Sequence, residues 1–588
     1  MPQPLVLDSV TTAGGSLLVL ALVLPVAGIL LGFIAGGRRT ERIVLVTLPL
    51  GLAIAVAIAV ALVRSGEPLV YLLGGWEPPL GVALRADRLA AVMMLTTAVV
   101  ICAVGVYARA EFDTPAGSQE TRAPFAFWLL LLAVWGALNT AFLSGDLFTL
   151  YVALELLTFA AVPLVSLDGR PETIAAALRY VLFALLGSVL YLVGTALLYG
   201  AYGTLDILLL SHRIRADATT IVAASLMTVG LLAKTAVFPL HLWLPPAHAG
   251  APAPASAVLS ALVVKGSFFI VVRLWFDVMP GVPGFVATQL LGGLGAAAIV
   301  VGSVVALRQE RLKLLIAYST LAQLGYLFLM FPLAFDPGTA RLQHGIALSG
   351  GMLQAISHAT AKAAMFMAAG LIYAALGHDR IAGLAGIARA LPMSVLAFVL
   401  GGVALMGVLP SGAYLAKKLL LEAAAGTGQW WWAVVMQAGG LFTTGYVVLV
   451  LAHSLSPADE PVRLRAPVPR VREAAALALA VCSLLLALAA FGPVPRDTLT
   501  NPLAPKELWS AVVIVLGGAL LAIVLGRRLP HVRTGEGAVT IVRPVRAALG
   551  AVCGMVERAD GVLRQWPIAG VSLLLLTILF GVAMMTGR

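Results

Sequence analysis

Two lysines stand inside apolar stretches of this sequence, where a charge is costly. Lys234 and Lys265 lie in residues 228–270, a segment that is otherwise mostly apolar and contains five prolines. A charged side chain at the centre of a bilayer costs at least about 2.5–3.5 kcal/mol, so such residues usually face a protein interior and mark ion paths. A broken membrane helix is tolerated where the freed backbone is buried in protein or lines a wet cavity. The segment therefore predicts buried cations close to internal water.

Further ionisable residues lie inside apolar runs of the same kind. Glu155 is near the middle of DLFTLYVALELLTFAAVPLV. His358 and Lys362 are four residues apart in LQAISHATAKAAMFMAAG, which places them on one helix face. Lys417 and Lys418 follow a Pro-Ser-Gly break in GVLPSGAYLA. The alternative interpretations are a static ion pair for the glutamate, a satisfied core histidine, and lysines that snorkel to the interface.

These residue types permit proton transfer. Burial disfavours the charged form of a lysine, and a nearby carboxylate favours it. At 4 Å and an effective dielectric constant near 20, the attraction between the two charges is about 4 kcal/mol. Movement of Glu155 relative to Lys234 would therefore make the lysine hold or release a proton. Histidine takes up and releases protons near neutral pH, so His358 suits the next transfer. Arg179 lies near a predicted span end, where anchoring and contact with water are expected.

The elements that carry these residues are predicted to be transmembrane helices. The chain is 61% hydrophobic and 11% charged, against about 45–50% and about 25% in soluble proteins. We therefore expect an all-α polytopic membrane protein. Runs of about 20 apolar residues indicate about 16 transmembrane helices, near 16–35, 43–63, 88–108, 124–143, 146–166, 175–200, 219–239, 254–275, 285–307, 312–332, 346–375, 392–424 (interrupted), 430–454, 473–492, 508–526 and 567–585.

The distribution of arginine predicts the orientation. Arg38, Arg39 and Arg42 follow the first apolar run, which places the first loop in the cytoplasm and the N-terminus outside. Basic loops within 308–313 and 463–472 fit the same orientation.

Several function classes find no support in the sequence. Cys102, Cys482 and Cys553 are scattered without a CxxC pair, so neither a metal site nor a disulfide framework is indicated. No P-loop or GxGxxG motif is present. The net charge of +11 comes from short loops between apolar runs, which is a poor argument for nucleic-acid binding. We therefore expect no cofactor and no metal.

A weak internal repeat divides the chain. LYVALELL resembles AYSTLAQL, TALLYGAYG resembles AGLIYAALG, and the breaks at Pro239 and Pro410 follow in the same order, at offsets of 167, 174 and 171 residues. The near-constant offset predicts two five-helix units over 124–275 and 285–454, preceded by a three-helix segment over 1–123. Corresponding interrupted helices in two halves of a chain are a pointer to a transporter's ion site.

The C-terminal extension, 471–588, differs from the rest. Residues 529–566 mix charges with apolar positions at helical spacing and are too polar to span a membrane. They predict an amphipathic helix along the membrane surface, or a solvated linker. Two spans precede this segment and a last span follows it.

Four motifs resemble those of a known family. LLAKTAVFPLHLWLPPAHAGAPAPASAVLSALVVKG is similar to the signature of the antiporter-like subunits of respiratory complex I, group 4 membrane-bound hydrogenases and Mrp-type multisubunit cation/proton antiporters. ERLKLLIAYSTLAQLGY, SHATAKAAMFMAAG and GVLPSGAYLAKK resemble its later motifs, in order. The resemblance covers about residues 70–455, and residues 71–94 look most like the Mrp D-type subunits and their hydrogenase relatives.

The resemblance implies two inverted five-helix repeats and a proton path. The residues that match the family's path are Glu155 in the fifth helix, Lys234 in the broken seventh, Lys265 in the eighth, His358 in the eleventh and Lys417 in the twelfth. Secondary candidates are His248, Lys362, Lys418 and Arg179. The chain departs from the family in GVLP and AYLAK, and in a second lysine where many relatives carry an acidic or aromatic residue. The surface helix and final span resemble those of long subunits that brace their neighbours.

The implied function is that of a proton-translocating subunit of a multisubunit membrane complex, most similar to the D-type subunits of Mrp-type cation/proton antiporters. The alternative is a proton-pumping subunit of an NADH-quinone oxidoreductase (complex I) or a membrane-bound hydrogenase, with the electron carriers on other subunits. A structural, inactive subunit is a third class. The implied partners are other membrane subunits, with H⁺ as cargo and Na⁺ left open. The implied location is the inner (plasma) membrane of a prokaryote.

Overall fold

The chain folds as a polytopic bundle of α-helices. A computed structural model describes residues 10–114, 121–458, 462–486, 505–525 and 536–587. The first half contains α1 (Ser16–Ala35), α2 (Gly37–Ser65), α3 (Arg88–Ala108), α4 (Arg122–Leu143), α5 (Leu147–Val165), α6 (Pro171–Tyr202), α7 (Ile207–Arg213), α8 (Ala218–Thr235), α9 (Leu244–Gly250), α10 (Ala253–Val258) and α11 (Val264–Val272). The second half contains α12 (Gly284–Arg308), α13 (Leu312–Phe328), α14 (Met330–Ala334), α15 (Ile346–Leu376), α16 (Ile387–Ala390), α17 (Pro392–Met406), α18 (Gly412–Gly426), α19 (Trp430–Leu455), α20 (Arg470–Leu485), α21 (Pro505–Leu525), α22 (Glu536–Leu563) and α23 (Trp566–Thr586).

The predicted membrane spans are confirmed as helices. Within the described residues, 13 helical segments are long and apolar enough to cross a membrane. The three other predicted spans correspond to the interrupted pair α17–α18 and to helices α20 and α21. The predicted spans 473–492 and 508–526 run in part outside the described residues. The amphipathic segment is also helical, as α22, and its first residues, 529–535, lie outside the described chain.

Short non-helical elements connect the spans. Strands β1 (Leu69–Leu72) and β2 (Ala83–Ala86) form an antiparallel hairpin between α2 and α3, in which Leu69 pairs with Ala86. Strands β3 (Phe335–Asp336) and β4 (Arg341–Leu342) form a smaller hairpin before α15. Two π-helical segments, Leu259–Val263 and Arg273–Val278, flank α11. Single-turn 3₁₀ helices lie at Leu73–Gly75 and Ile381–Gly383.

The bundle has two ends of different character. The α3–α4, α5–α6, α9–α10 and α12–α13 connections meet around one cavity. We call this the basic end, because arginines concentrate there. One of them, Arg472, donates a hydrogen bond to Glu111 at 2.5 Å. At the opposite end Arg273 binds both carboxylate oxygens of Asp87, at 2.5 and 2.6 Å.

Helix breaks divide two of the spans. Helix α8 begins at the side chain of Asp217, which accepts from the Thr220 amide at 2.8 Å, and it ends at Ala236, whose φ of 57° is left-handed. The second break follows α17 at Gly407, with φ 69°, and Ser411 starts α18 by accepting from the Tyr414 amide. A cap satisfies backbone donors that a helix start leaves open. Each span is thus built as two helices with a defined end and a defined restart.

Close helix crossings depend on glycine pairs. Gly187 of α6 faces Gly230 of α8, and a Cβ added to Gly230 would lie 2.3 Å from the Gly187 carbonyl oxygen. Gly295 of α12 and Gly325 of α13 approach one another in the same way. Small residues let helix backbones approach in membranes, where packing rather than the hydrophobic effect drives association. The α6–α8 crossing matters for the site, because α8 carries Lys234 one turn later.

The Gly230→Ala variant is expected to be less stable by about 1–3 kcal/mol, since the added methyl group has no room and the helices must separate. Gly200→Ala is the matched control, because no atom lies within 4 Å of its added Cβ. Thermal unfolding of the purified protein in detergent measures both. Equal midpoints for Gly230→Ala and the wild-type protein would contradict the close crossing.

The second predicted unit contains a counterpart of this crossing. A Cβ added to Gly401 of α17 would lie 3.1 Å from the Ala361 carbonyl oxygen of α15. Gly187 and Ala361 are 174 residues apart, and Gly230 and Gly401 are 171 apart, which are two of the offsets found between the sequence motifs. We propose on this basis that the two units are repeats of one five-helix plan.

The C-terminal extension folds back on its own chain. Helix α23 packs against α8 and α12, and α22 contacts α12 and α21. The sequence suggests a similarity to subunits that brace their neighbours. In this chain the final span covers the outer side of the helix that carries Lys234, so the extension is part of the subunit that contains the site.

Candidate functional site

Lys234 and Glu155 lie together, as the sequence predicts. The Lys234 Nζ donates to Thr158 Oγ1 at 2.8 Å, to the Leu154 carbonyl at 3.2 Å and to Glu155 Oε1 at 3.4 Å. The lysine side chain is 5% exposed and the glutamate side chain 15%. The longest of the three bonds is the one to the carboxylate. The ammonium is therefore held by two neutral acceptors as well as by a carboxylate.

The break after α8 fixes the position of this lysine. Lys234 occupies the last turn of α8, before the left-handed Ala236. The indole of Trp243 donates at 3.0 Å to the Ala233 carbonyl, which also accepts from the Ala236 amide at 3.2 Å. The same indole stacks on Tyr180 of α6 at a centroid distance of 4.0 Å. A buried side chain thus ties the end of α8 to α6.

Lys265 lies deeper in the bundle, beside a π-helical turn. Its Nζ donates at 2.5 Å to the Ser260 carbonyl, five residues earlier, and the residue is 1% exposed. The Ser260 hydroxyl in turn lies 2.9 Å from Thr320 Oγ1 of α13. Single π turns are frequent at functional sites. Here the wider turn directs a backbone carbonyl toward the ammonium.

Hydroxyl groups connect the first two lysines. Thr235, next to Lys234, donates to Ser267 at 3.0 Å, and Ser267 is two residues from Lys265. Both hydroxyls are buried. They join the end of α8 to α11, so the two lysines lie on neighbouring, polar-bridged helices.

His358 and Lys362 share a face of α15, and both are fully buried. Lys362 Nζ donates to the Ile316 carbonyl at 3.2 Å and to the hydroxyl of Ser319. Neither ring nitrogen of His358 has a hydrogen-bond partner among the described residues. Lys265 and Lys362 lie within electrostatic reach of one another. The structure thus holds the secondary candidate Lys362 firmly and leaves the primary candidate His358 with both nitrogens available.

A chain of amides runs from α15 toward α19. Gln354, one turn before His358, donates to Gln323 at 2.8 Å, and Gln323 donates to Thr443 at 3.2 Å. All three side chains are buried. They were not predicted from the sequence, because an uncharged side chain inside a span does not carry the energetic cost that marks a charged one. The signal that could have found Gln354 is its spacing of four residues from His358.

Lys417 follows the second break. It is 8% exposed, and its Nζ has no hydrogen-bond partner within the described chain. Gly407 and Gly440 give it room: a Cβ on Gly440 would lie 2.9 Å from Nζ. Lys418, the next residue, is only partly buried and lies over the Tyr414 ring, 5.9 Å from its centroid. Of the two lysines, Lys417 is the one that faces the interior.

The remaining secondary candidates lie toward the basic end. His248 of α9 is fully buried, stacks on Phe366 at 4.8 Å and has no hydrogen-bond partner for its ring nitrogens in the part of the chain described. Arg179 of α6 is partly exposed and lines the cavity at this end. The structure thus separates a buried imidazole from a cation that faces the cavity.

A buried aspartate of α22 contacts a histidine at the first helix break, between α8 and α9. Asp560 is 2% exposed; its Oδ1 lies 2.7 Å from His241 Nε2, and its Oδ2 accepts from Tyr318 at 2.8 Å and from Arg564 at 2.9 Å. His241 lies between α8 and α9, and Tyr318 in α13. Neither His241 nor Asp560 was predicted as a site residue from the sequence. Their separation of 319 positions left no local signal.

The fold and this row of buried ionisable groups define a class: polytopic helical membrane proteins with broken spans and a charged interior. The chain belongs to the NADH:quinone oxidoreductase/Mrp antiporter transmembrane family, whose model matches residues 144–443. Glu155, Lys234, Lys265, His358 and Lys417 all fall in the matched segment. The predicted family is thereby confirmed.

Two curated relatives illustrate the range of the family. The chain is 33% identical over 414 residues to NADH-quinone oxidoreductase subunit N of Desulforudis audaxviator, covering 69% of this chain and 80% of that protein. It is 27% identical over 387 residues to the D-type subunit of the Na⁺/H⁺ antiporter of Bacillus subtilis, covering 65% and 75%.

Solved structures share the fold. A chain of the Mrp complex from Dietzia sp. superposes with a TM-score of 0.72 at 23% identity, covering 91% of this chain and 99% of that one. A chain of respiratory complex I from Thermus thermophilus superposes with a TM-score of 0.63 at 25% identity, covering 80% and 97%. The Dietzia match at 91% coverage extends well beyond the segment that the family model matches.

Proposed function

We propose that this chain is a proton-translocating subunit of a multisubunit membrane complex, similar to the D-type subunits of Mrp-type cation/proton antiporters. The observation that carries the proposal is the row of buried lysines 234, 265, 362 and 417, which begins at the Glu155–Lys234 pair and crosses the family segment. Such residues in a membrane interior are costly and mark ion paths. The hypothesised path comprises Glu155, Lys234, Lys265, His358 and Lys417, with Lys362 added from the structure.

The geometry suggests how a proton would advance. When Glu155 is close, the charged form of Lys234 is favoured; when it withdraws, Thr158 and the Leu154 carbonyl still hold the amine, and the proton is released more readily. Lys265 and Lys362 lie near one another, so a charge on one disfavours a charge on the other. The ring nitrogens of His358 have no hydrogen-bond partner among the described residues. His358 would carry a proton between these lysines and the amides of Gln354 and Gln323. Lys417 would then be the exit group.

A specific observation favours the redox alternative. Identity to NADH-quinone oxidoreductase subunit N is 33%, above the 27% identity to the D-type subunit of the Na⁺/H⁺ antiporter. In that alternative, the same path is driven by quinone reduction on other subunits. Both alternatives place the chain among other membrane subunits in a prokaryotic plasma membrane. We propose the cytoplasm for the basic end and the outside for the N-terminus, in keeping with the excess of arginine in cytoplasmic loops.

The experiment is reconstitution of the complex that co-purifies with this chain into vesicles that enclose a pH-sensitive dye. An imposed Na⁺ gradient that moves protons supports the antiporter. Proton movement that requires an electron donor and a quinone supports the redox complex, and mass spectrometry of the co-purified subunits identifies the electron carriers. A complex that moves protons under neither condition would contradict the proposed function.

A further inference from the structure

A cavity of about 750 Å³ opens at the basic end of the bundle. Its walls come from the α3–α4, α5–α6, α9–α10 and α12–α13 connections and from the ends of α15 and α20. The charged residues around it include Glu111, Asp168, Arg170, Arg311, Lys313 and Arg472. The hypothesised proton path does not include this cavity, although the cavity reaches the connection that directly follows His248.

Three of the eight charged residues that line the cavity are held in ion pairs at its rim. Arg170 binds Asp168 at 2.5 Å, and Arg311 binds Asp379 at 2.9 Å. Side chains that are half exposed, such as those of Arg170 and Arg311, form pairs of little energetic value. These pairs lie at the cavity rim, and a separate group of charged residues lies deeper in the cavity.

The carboxylate of Glu111 lies deeper, between two cations. Arg472 donates to its Oε2 at 2.5 Å and also lies over the Tyr107 ring, 4.4 Å from the centroid. Lys313 interacts with the same carboxylate from α13. The Glu111 side chain is 28% accessible, whereas that of Arg472 is 10% accessible. Glu111 therefore faces the cavity on one side and cations on the other.

Lys313 connects this carboxylate to the interior. Its Nζ donates at 3.1 Å to the carbonyl of Ala251, three residues after His248, and the residue is 7% exposed. It lies within electrostatic reach of His248, as do Lys265 and Lys362. His248 is thus placed between the cavity and the central lysines, with both ring nitrogens unpartnered among the described residues.

At position 313 the chain has a lysine, whereas arginine is its usual basic residue. The chain has only seven lysines among its 38 basic residues. Five of them, at 234, 265, 313, 362 and 417, are buried, and the other cations that line the cavity are arginines. Arginine stays charged in proteins, whereas a buried lysine can lose its proton. Lys313 is therefore the cation of the cavity that can take part in proton transfer.

We infer that the cavity is the proton-loading site on the basic side, with Glu111 as its acceptor. This inference rests on the proposed function. Lys313 passes its proton to a ring nitrogen of His248, and Glu111 then restores the proton to Lys313 through cavity water. Glu111 is in turn reprotonated from the aqueous phase. One proton enters for each proton passed on, and Arg472 keeps its charge throughout and positions the carboxylate.

The groups that face Glu111 determine its response to pH. They are Arg472 from α20, Lys313 from α13 and Tyr107 from α3, while Asp168 and Glu172 line the same cavity. The recessed position raises the pKa of the Glu111 carboxyl, and the two cations oppose this; the net direction is upward. Proton entry is expected to rise as the pH on this side falls through that pKa.

The test compares proton flux through the reconstituted complex at different pH values on the basic side. Glu111→Gln is expected to lower the flux at least tenfold at neutral pH and to abolish its inflection with pH on that side. Glu172→Gln is the matched control, since it removes an exposed carboxylate from the same cavity. It should change neither the proton flux nor the inflection of that flux with pH. Glu111→Asp, which keeps the charge, should restore most of the flux with its inflection at lower pH.

The possible failures are distinguishable. Wild-type flux in Glu111→Gln, together with loss of flux in Lys234→Ala, overturns the loading site alone. Undiminished flux in Lys234→Ala overturns the proposed function and this inference with it. If the Glu111→Gln complex fails to assemble, the Glu111→Asp complex is the test. A Glu111→Asp complex with the same flux and the same pH inflection as the wild-type complex would contradict the inference.

Discussion

In vesicles that contain the complete complex, the Lys234→Ala variant is expected to move protons no faster than protein-free vesicles. Alanine removes the ionisable group at the end of α8, while Thr158, Leu154 and Glu155 lose their common donor. A carboxylate that remains in the membrane interior without its cation is costly. Dye-reported proton flux under the driving force that operates the wild-type complex is the measurement.

Two variants make this result specific. Arg64→Ala removes an exposed cation from the last turn of α2 and should leave the flux unchanged. Glu155→Gln keeps a hydrogen-bonding side chain but removes the switching charge, and we expect a flux at least tenfold lower that is not abolished. A Lys234→Ala complex that assembles and transports at the wild-type rate would rule out the path.

The second large effect is expected at Asp560, on stability. Removing one partner from a buried, paired set costs about 3–5 kcal/mol, and Asp560→Ala leaves the groups of His241, Tyr318 and Arg564 without their acceptor. The free energy of unfolding should fall accordingly, and α22 should become accessible to protease. Glu557→Ala is the control: it lies one turn earlier and forms a 3.4 Å salt bridge with Arg308 that is partly exposed, so its effect should stay within about 1 kcal/mol.

The stabilisation that Asp560 provides is expected to decrease as the pH falls. Burial alone would raise the pKa of Asp560, but its bonds to His241, Arg564 and Tyr318 hold that pKa below the ordinary value. A carboxyl with a lowered folded-state pKa stabilises above its unfolded pKa, and this stabilisation is lost as the pH falls through the folded-state value. Unfolding midpoints recorded from neutral to acid pH should therefore converge for the wild-type and Asp560→Asn proteins. Midpoints that differ equally at every pH would contradict the assignment.

Much of the fold could be predicted because its signals are local. A membrane span is encoded by some 20 consecutive apolar residues, and a break by a proline within such a run. The Glu155–Lys234 pair was also within reach, because two opposite charges in hydrocarbon have few partners to choose from. The division into two repeated units stays a proposal, which the 171-residue separation of Gly230 and Gly401 supports.

The rest depends on contacts between distant parts of the chain. Lys313 had the appearance of one more basic loop residue, and only the fold shows it buried beneath a cavity. Gln323 and Gln354 are neutral, so the energetic cost that singled out the lysines did not apply to them. The His241–Asp560 contact joins a broken helix to a surface helix whose amphipathic pattern is equally typical of a linker, and no spacing rule connects the two.

That last contact has a consequence for biosynthesis. His241 is separated from Asp560 by 319 residues, and α23 can pack against α8 only after Trp566–Thr586 has been made. Chains emerge from the ribosome at about 5–20 residues per second, so for tens of seconds the newly inserted α8–α9 break lacks its final cover. During that interval the nascent protein exposes polar groups that another chain or a membrane chaperone could occupy. Quality control of this protein is therefore expected to act late, on molecules whose last helix has not yet closed.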